Sequence, residues 1–311
     1  MASETSNIVF DRAQLRRQRN RAAGGAADHD FLLAYVSDDL VDRLSIVTRS
    51  FPAALNLGAH HGLLSRRIRE RDNVGVVIDA DASLNLLMQC TGPRVLADEE
   101  ALPFASESLD LVVSGLAFQF VNDLPGTLIQ IRKALRPDGL LLATLLGGAT
   151  LRELRHAWLV AESEVSGGVS PRVAPFADVR EVGALLQRAG FALPVVDSET
   201  LTVTYDSPLA LMRELKKMGA ANALSGRHRH PVTRHLLARA CEVYIDTFAT
   251  SDGRIPATFE LITMTAWAPH ESQQKPLRPG SAQHRLADAL GTTEHSTGEK
   301  PDQVGNSKRR D

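Results

Sequence analysis

The chain has 311 residues, 43% of them hydrophobic, and a formal net charge of −2. That is enough apolar material for one large α/β domain with an appended region, and the near-neutral charge gives no global reason to expect nucleic-acid binding. With only Cys90 and Cys241, a disulfide framework and a cysteine metal site are excluded, which fits a reducing compartment, and no apolar run reaches the about eighteen residues of a membrane span.

Residues 9–50 read as mainly helical, packing beside a sheet or capping its open edge. Arg12, Arg16, Arg17, Arg19 and Arg21 in this stretch invite a transit-peptide reading, but Glu4, Asp11, Asp28 and Asp30 argue against it. The remaining readings are a grip on an acidic partner or anionic lipid and, more plainly, a solvated basic helix face. Segment 53–62, AALNLGAHHG, then reads as a buried strand, a glycine loop and the start of a helix that continues through Ile68. Gly58 and Gly62 let the backbone approach a ligand without a Cβ clash, and the helix start behind them favours polar groups. His60 stands where a third glycine is expected, so the three-glycine dinucleotide pattern is absent and a pyrophosphate cofactor is not implied.

The second strand, 74–78, ends at Asp79-Ala80-Asp81. A carboxylate about twenty residues past the loop commonly accepts hydrogen bonds from ribose hydroxyls. Two carboxylates at a strand tip read as functional rather than as core, with Asp81 the better ribose ligand. Segment 94–98 is a short strand ending at Asp98, followed by Glu99, and 109–117 is another containing Ser114. A helix over 123–136 is stopped by Arg136-Pro137-Asp138-Gly139, and Leu140–Leu146 forms a strand buried on both faces. Helices follow at 150–164 and 177–190, a strand at 194–204, helices near 208–218 and 231–248, and a last strand within DGRIPATFELITMTAW. After Glu271 the polar, Gly- and Pro-containing sequence is expected to be disordered, apart from a short helix at 282–290.

Strands alternating with helices imply a mostly parallel sheet with helices on both faces, and ligands outside the carboxyl ends of its strands. Gly58, Asp81, Asp98 and Ser114 all fall at such ends. The expected division is a helical segment at 1–50, a cofactor-binding core at 51–147, the rest of the fold with a helical insertion at 148–270, and a tail at 271–311. Among the histidines, adjacent His60 and His61 rarely point at one target, and His228, His230 and His235 sit in or beside a charged loop, so no metal site is assigned. Gln119, in GLAFQFVND, reads as a polar residue at a helix start.

These motifs resemble the class I S-adenosylmethionine (SAM)-dependent methyltransferases, whose fold is a Rossmann-like seven-stranded sheet. The resemblance implies that the loop carrying Asn56, Gly58, His60 and Gly62 holds the methionine part of SAM. It likewise implies that Asp81 takes the ribose, Asp98-Glu99 lies by the adenine, and Gln119 faces the reacting group. FDRAQLRRQRNRAA, VLADEEALPF, RKALRPDGLLL, LLQRAGF, DGRIPATFELITMTAW and HESQQKPLRPGSA narrow the match to the mitochondrial complex I assembly factor 5 group and its bacterial relatives, over roughly residues 9 to 285. The malonyl-acyl-carrier-protein methyltransferase of biotin synthesis is a more distant likeness. The implied function is a SAM-dependent enzyme acting on a protein substrate, such as a complex I subunit, and linked to assembly of the respiratory NADH dehydrogenase. The alternatives are an arginine hydroxylase, a non-catalytic assembly chaperone, and malonyl-carrier methylation. The implied location is the bacterial cytoplasm, with peripheral contact to the inner membrane through the partner, or the mitochondrial matrix in a eukaryote. Two positions depart from the family pattern: Asn56 replaces an acid, and His60 adds bulk and strain if its φ is positive.

Overall fold

A computed structural model describes residues 8–274, 286–293 and 295, in two compact units divided after Glu271. In the first unit, α1 (Arg12–Ala22) starts at Asp11, whose carboxylate accepts the Gln14 amide at 2.8 Å, a standard N-cap. A 3-10 stretch (Ala23–His29) leads into α2 (Phe31–Ser45). Leu32, Val36, Leu40 and Leu44 recur every fourth residue of α2 and are all buried. A fully buried leucine contributes about 1.5–3 kcal/mol, so this stripe fixes α2 against the sheet.

The sheet begins with β1 (Phe51–Leu57), followed by α3 (Leu63–Arg69), β2 (Val74–Asp81), the single turn α4 (Leu84–Leu87), β3 (Arg94–Leu96) and β4 (Leu109–Gly115). Next come α5 (Leu124–Ala134), β5 (Leu135–Leu146), α6 (Arg152–Ser166), α7 (Val179–Arg188), β6 (Ala192–Tyr205), α8 (Pro208–Lys217), α9 (Arg234–Phe248) and β7 (Ile255–Trp267). The strand order is β3-β2-β1-β4-β5-β7-β6, parallel as far as β5, with β7 antiparallel to both of its neighbours. The seven-stranded, mostly parallel architecture expected from the sequence is present.

Alternate residues of the central strands feed two separate cores. Leu140 and Leu142 of β5 and Ala257 and Phe259 of β7 face a core shared with α2, α3, α6 and α9. Leu141 and Ala143 of β5, with Ile262 and Met264 of β7, face the core under α5 and α7. Burial on both faces explains the nearly continuous apolar run of β5.

One boundary differs from expectation. The helix before β5 stops at Ala134, and Arg136-Pro137-Asp138-Gly139 lies inside the strand as an irregularity instead of ahead of it. Leu135 already pairs with Leu109, and the register then jumps so that Leu140 pairs with Leu111. Asp138 takes φ of 63° there, and Arg136 reaches back to Asp110 at 2.7 Å. A bulge thus does what the Pro-Gly signal suggested a turn would do.

The second unit contains α10 (Leu286–Leu290), closed by the Thr292 amide donating to the Ala287 carbonyl at 2.9 Å. The helix expected at 282–290 is present over these residues. The disorder expected after Glu271 falls, for residues 275–285, 294 and 296–311, outside the described residues.

Candidate functional site

At the carboxyl end of β1 the chain takes three left-handed steps, Gly58 (φ 71°), His60 (51°) and Gly62 (79°). The Gly58 and Ala59 amides both donate to the Ala80 carbonyl, at 2.8 and 2.9 Å, pinning the loop to the end of β2. A Cβ on Gly58 would lie 2.2 Å from the Ala117 methyl carbon. Gly58→Ala therefore combines a left-handed backbone with a steric overlap, and should lower stability by about 2–4 kcal/mol. Thermal unfolding reads this directly; a melting curve like that of the wild type would contradict the tight approach of the loop to Ala117, just past β4. Cys90 packs under Gly62 and is buried, which together with Asp79 and Asp81 pushes its thiol up to about 12. That thiol is an inert packing group.

Asp81 closes β2 and is fully buried. One carboxylate oxygen accepts the His60 amide at 2.9 Å and the other accepts the Ser83 amide at 2.7 Å. Burial raises its pKa, opposed by the charge of Arg19 and by those two amides. A carboxylate offers about four acceptor positions, so capacity for two further donors remains. The His60 imidazole turns inward, its Nε2 meeting the Gly115 carbonyl at 3.0 Å. Burial, then the charges of Arg19 and His61, pull its pKa down to about 3. The ring is therefore neutral with the proton on Nε2, and Nδ1 carries the lone pair. His61 turns elsewhere, to Asp30 at 3.1 Å, so the two adjacent histidines do not share a target.

The Asp98-Glu99 pair is engaged by α1. The Arg12 guanidinium donates to Asp98 at 2.7 Å, to Glu99, and to the Phe120 carbonyl at 3.1 Å. Arg19 lies 3.7 Å from the other oxygen of Glu99, and Glu99 has no exposed surface. Asn20 accepts the Ser83 hydroxyl at 2.7 Å, and Gln89 donates to the Ala23 carbonyl at 2.7 Å. This corrects the reading of the N-terminal arginines as a solvated face: Arg19 is 4% exposed and Arg12 is half-buried, while Arg16, Arg17 and Arg21 remain outside. Their sequence signal was the seven-residue spacing, two helical turns, which puts Arg12 and Arg19 on one face of α1.

The other candidates divide into two groups. Gln119 lines a cavity of about 80 Å³ together with His60, Asp30, Arg19 and Leu116. Its Nε2 donates to the Leu116 carbonyl at 2.7 Å, while its Oε1 is buried with no hydrogen-bond partner. Leu116 itself has a φ of 56°, so two strained non-glycine residues bound this cavity. Asn56 and Ser114 instead brace the sheet. The Asn56 amide donates to Ser65 at 2.6 Å and to Asp79 at 3.2 Å, and the Ser114 hydroxyl donates to the Leu57 carbonyl at 2.7 Å. Asp79 is fully buried, held by Arg69 at 2.7 Å and by Ser65. The expectation that neither tip carboxylate is a core residue fails for Asp79, which anchors α3 to β2. Among the described residues no three His, Cys, Asp or Glu side chains gather as a metal-holding group. No described helix is long and apolar enough to cross a membrane.

The loop and carboxylates suit SAM in kind: a glycine approach, an acceptor for a ribose diol, and acidic groups at the third strand end. Oε1 of Glu99 makes no hydrogen bond and is faced by Arg19 at 3.7 Å, so it could accept from a ligand only with Arg19 moved aside. Room is divided by Arg19, with about 80 Å³ on the His60 side and about 180 Å³ beside Arg12 and Asp98. Small-molecule sites usually hold about 300–1,000 Å³. As the side chains stand, neither space would hold a molecule of that size unless the arginines of α1 moved.

Comparison with known proteins agrees with this geometry. A family model described as a methyltransferase domain matches residues 55–143. The mitochondrial arginine-hydroxylase NDUFAF5 of Danio rerio is 37% identical over 288 residues, covering 90% of this chain and 89% of that protein. The Homo sapiens protein of the same name is 38% identical over 281 residues, covering 88% and 81%. The malonyl-[acyl-carrier protein] O-methyltransferase of Methylovorus sp. (strain MP688) is 36% identical over 275 residues, covering 84% and 90%. Among solved structures, YcgJ of Bacillus subtilis shares the fold at a TM-score of 0.53 and 14% identity, covering 75% of this chain and 99% of that one. The chain belongs to the methyltransferase-fold family that includes the NDUFAF5 arginine hydroxylases and the malonyl-[acyl-carrier protein] O-methyltransferases.

Proposed function

We propose that the protein is a SAM-binding enzyme that modifies a side chain of a protein substrate, with a subunit of the respiratory NADH dehydrogenase as its target. The observation that carries this reading is Asp81, a buried carboxylate whose two oxygens are each fixed by a loop amide while acceptor capacity is left over. Asp81 would take the ribose, the loop from Gly58 to Gly62 the methionine part, and Asp98 with Glu99 the adenine side once Arg12 releases them. Bound SAM supplies an electrophilic methyl group on a sulfonium. Methyl transfer from it needs mainly proximity and alignment, so a strong general base is not required. Neutral His60 and the unpartnered carbonyl of Gln119 suit orienting an N–H-bearing group beside that methyl.

A second reading, arginine hydroxylation, is favoured by the name of the NDUFAF5 relatives. Hydroxylation would need an oxygen-handling cofactor in addition. Both readings are compatible with a protein that meets the inner membrane only through its partner. Intact-mass comparison of the NADH dehydrogenase subunits, from cells with and without this protein, distinguishes them. A subunit lighter by about 14 Da in the deletion supports methylation, and one lighter by about 16 Da supports hydroxylation. Unchanged masses for every subunit would reject a modifying role on this target.

A further inference from the structure

Beside the cavity of His60 and Gln119 lies a groove that the SAM reading leaves unused. It lies between the end of α1, the following 3-10 stretch and α8, and holds about 710 Å³. Arg21, Arg213, Lys216 and Lys217 line it, against the single carboxylate of Asp28, in a chain whose net charge is −2. All four cations are exposed, and among the described residues none of them is in an ion pair. Cations at the ends of α1 and α8 complement the helix dipoles, which accounts for one at each terminus. It does not account for four converging on one concave surface.

The groove also adjoins the interior cavities through shared wall residues. Ala22 and His29 border both the groove and the cavity of His60 and Gln119, and Ala221 borders both the groove and an apolar chamber of about 240 Å³. Those two inner cavities share Phe120, Leu146 and Met218. A side chain reaching from the groove to Gln119 would have to displace His29, which Glu214 of α8 holds at 2.9 Å.

Resting on the reading of a protein substrate, we propose that this groove docks an acidic polypeptide segment flanking the residue to be modified. Its shape and lining argue against the other anionic partners. No Phe, Tyr or Trp lines it, so a single-stranded nucleic acid finds no stacking platform. A flat membrane surface would not reach cations set around a concave groove, and the lining offers only alanines and a glycine as apolar residues to insert.

The test uses the full-length protein and two fluorescein-labelled twelve-residue peptides (about 40 Å extended). One has a central arginine flanked by Glu and Asp, and the other has Gln and Asn at the same flanking positions. Fluorescence anisotropy at low salt should show the acidic peptide binding about ten-fold more tightly, with the preference fading as salt rises. The variant Arg213→Glu/Lys216→Glu/Lys217→Glu should erase that preference. The milder Arg213→Gln/Lys216→Gln/Lys217→Gln should reduce it without touching the helix-end charges as severely. Equal binding of both peptides, or a preference that survives in both variants, overturns the proposal. So does loss of binding to phosphatidylserine vesicles in the variants without any peptide preference in the wild type, which would identify a lipid-facing patch. SAM titration of the same variants should match the wild type; failure of the wild type to bind SAM counts against the proposed function, while the peptide preference is read independently.

Discussion

Asp81→Asn is expected to weaken SAM binding by about 100-fold or more, a loss visible by calorimetry as a vanished titration. The two free acceptor positions of Asp81 would each make a charge-assisted bond to a ribose hydroxyl, worth about 1.5–3 kcal/mol apiece. Asparagine keeps the shape but has one carbonyl oxygen. Its amide must point at either the His60 or the Ser83 amide, both donors that Asp81 accepts in the native loop. That mismatch costs about 1–3 kcal/mol of stability. Relief of a buried charge offsets part of it, because burial already disfavours the ionised form of Asp81. The variant should therefore fold with a modest loss in denaturant unfolding and fail to bind. Retained affinity in a folded Asp81→Asn protein would remove Asp81 from the cofactor site.

His60→Gly separates strain from charge. The folded state holds His60 near a pKa of about 3, against 6.5 in the unfolded chain. Between those values the unfolded chain binds the extra proton, so stability rises with pH and is lost on acidification. From pH 7 to pH 5 this single group accounts for a loss of about 2 kcal/mol. The glycine variant should lack that component, giving a flatter urea-unfolding stability over the same range. At pH 7 the two proteins should differ by no more than about 1 kcal/mol. Relief of the left-handed φ is worth about 1–2 kcal/mol, while the bond to Gly115 and the extra unfolded-state freedom of glycine take back a similar amount. An unchanged pH slope would mean that the imidazole is solvated and not folded into the site.

The sequence made the strand-loop-helix units readable because each is written locally. Gly58 and Gly62, the Asp81 tip and the Asp98-Glu99 turn each follow an apolar run of strand length, and the parallel sense of those strands follows from their alternation with helices, while the strand order does not. What escaped it is long-range. Arg12 meets Asp98 and Glu99 across more than eighty positions, and nothing near Arg12 announces a buried carboxylate partner. Asp79 and Asp81 both read as functional at a strand tip, with Asp81 the better ribose ligand; that Asp79 is a core brace shows only in the packing of α3, through Ser65 and Arg69. His60 was recognisable as an irregular position, but its inward turn depends on the Gly115 carbonyl, which belongs to β4. Arginine side chains of α1 between the expected contacts likewise required the folded arrangement to be seen.

The most direct test of a SAM-binding enzyme is titration of SAM into the wild-type protein by isothermal calorimetry. A one-site isotherm in the micromolar range, accompanied by a rise in melting temperature with ligand concentration, is the expected result. Neither heat nor thermal shift at millimolar SAM would contradict the account, and would leave Arg12 and Arg19 as permanent occupants of the ground between Asp81, Asp98 and Glu99.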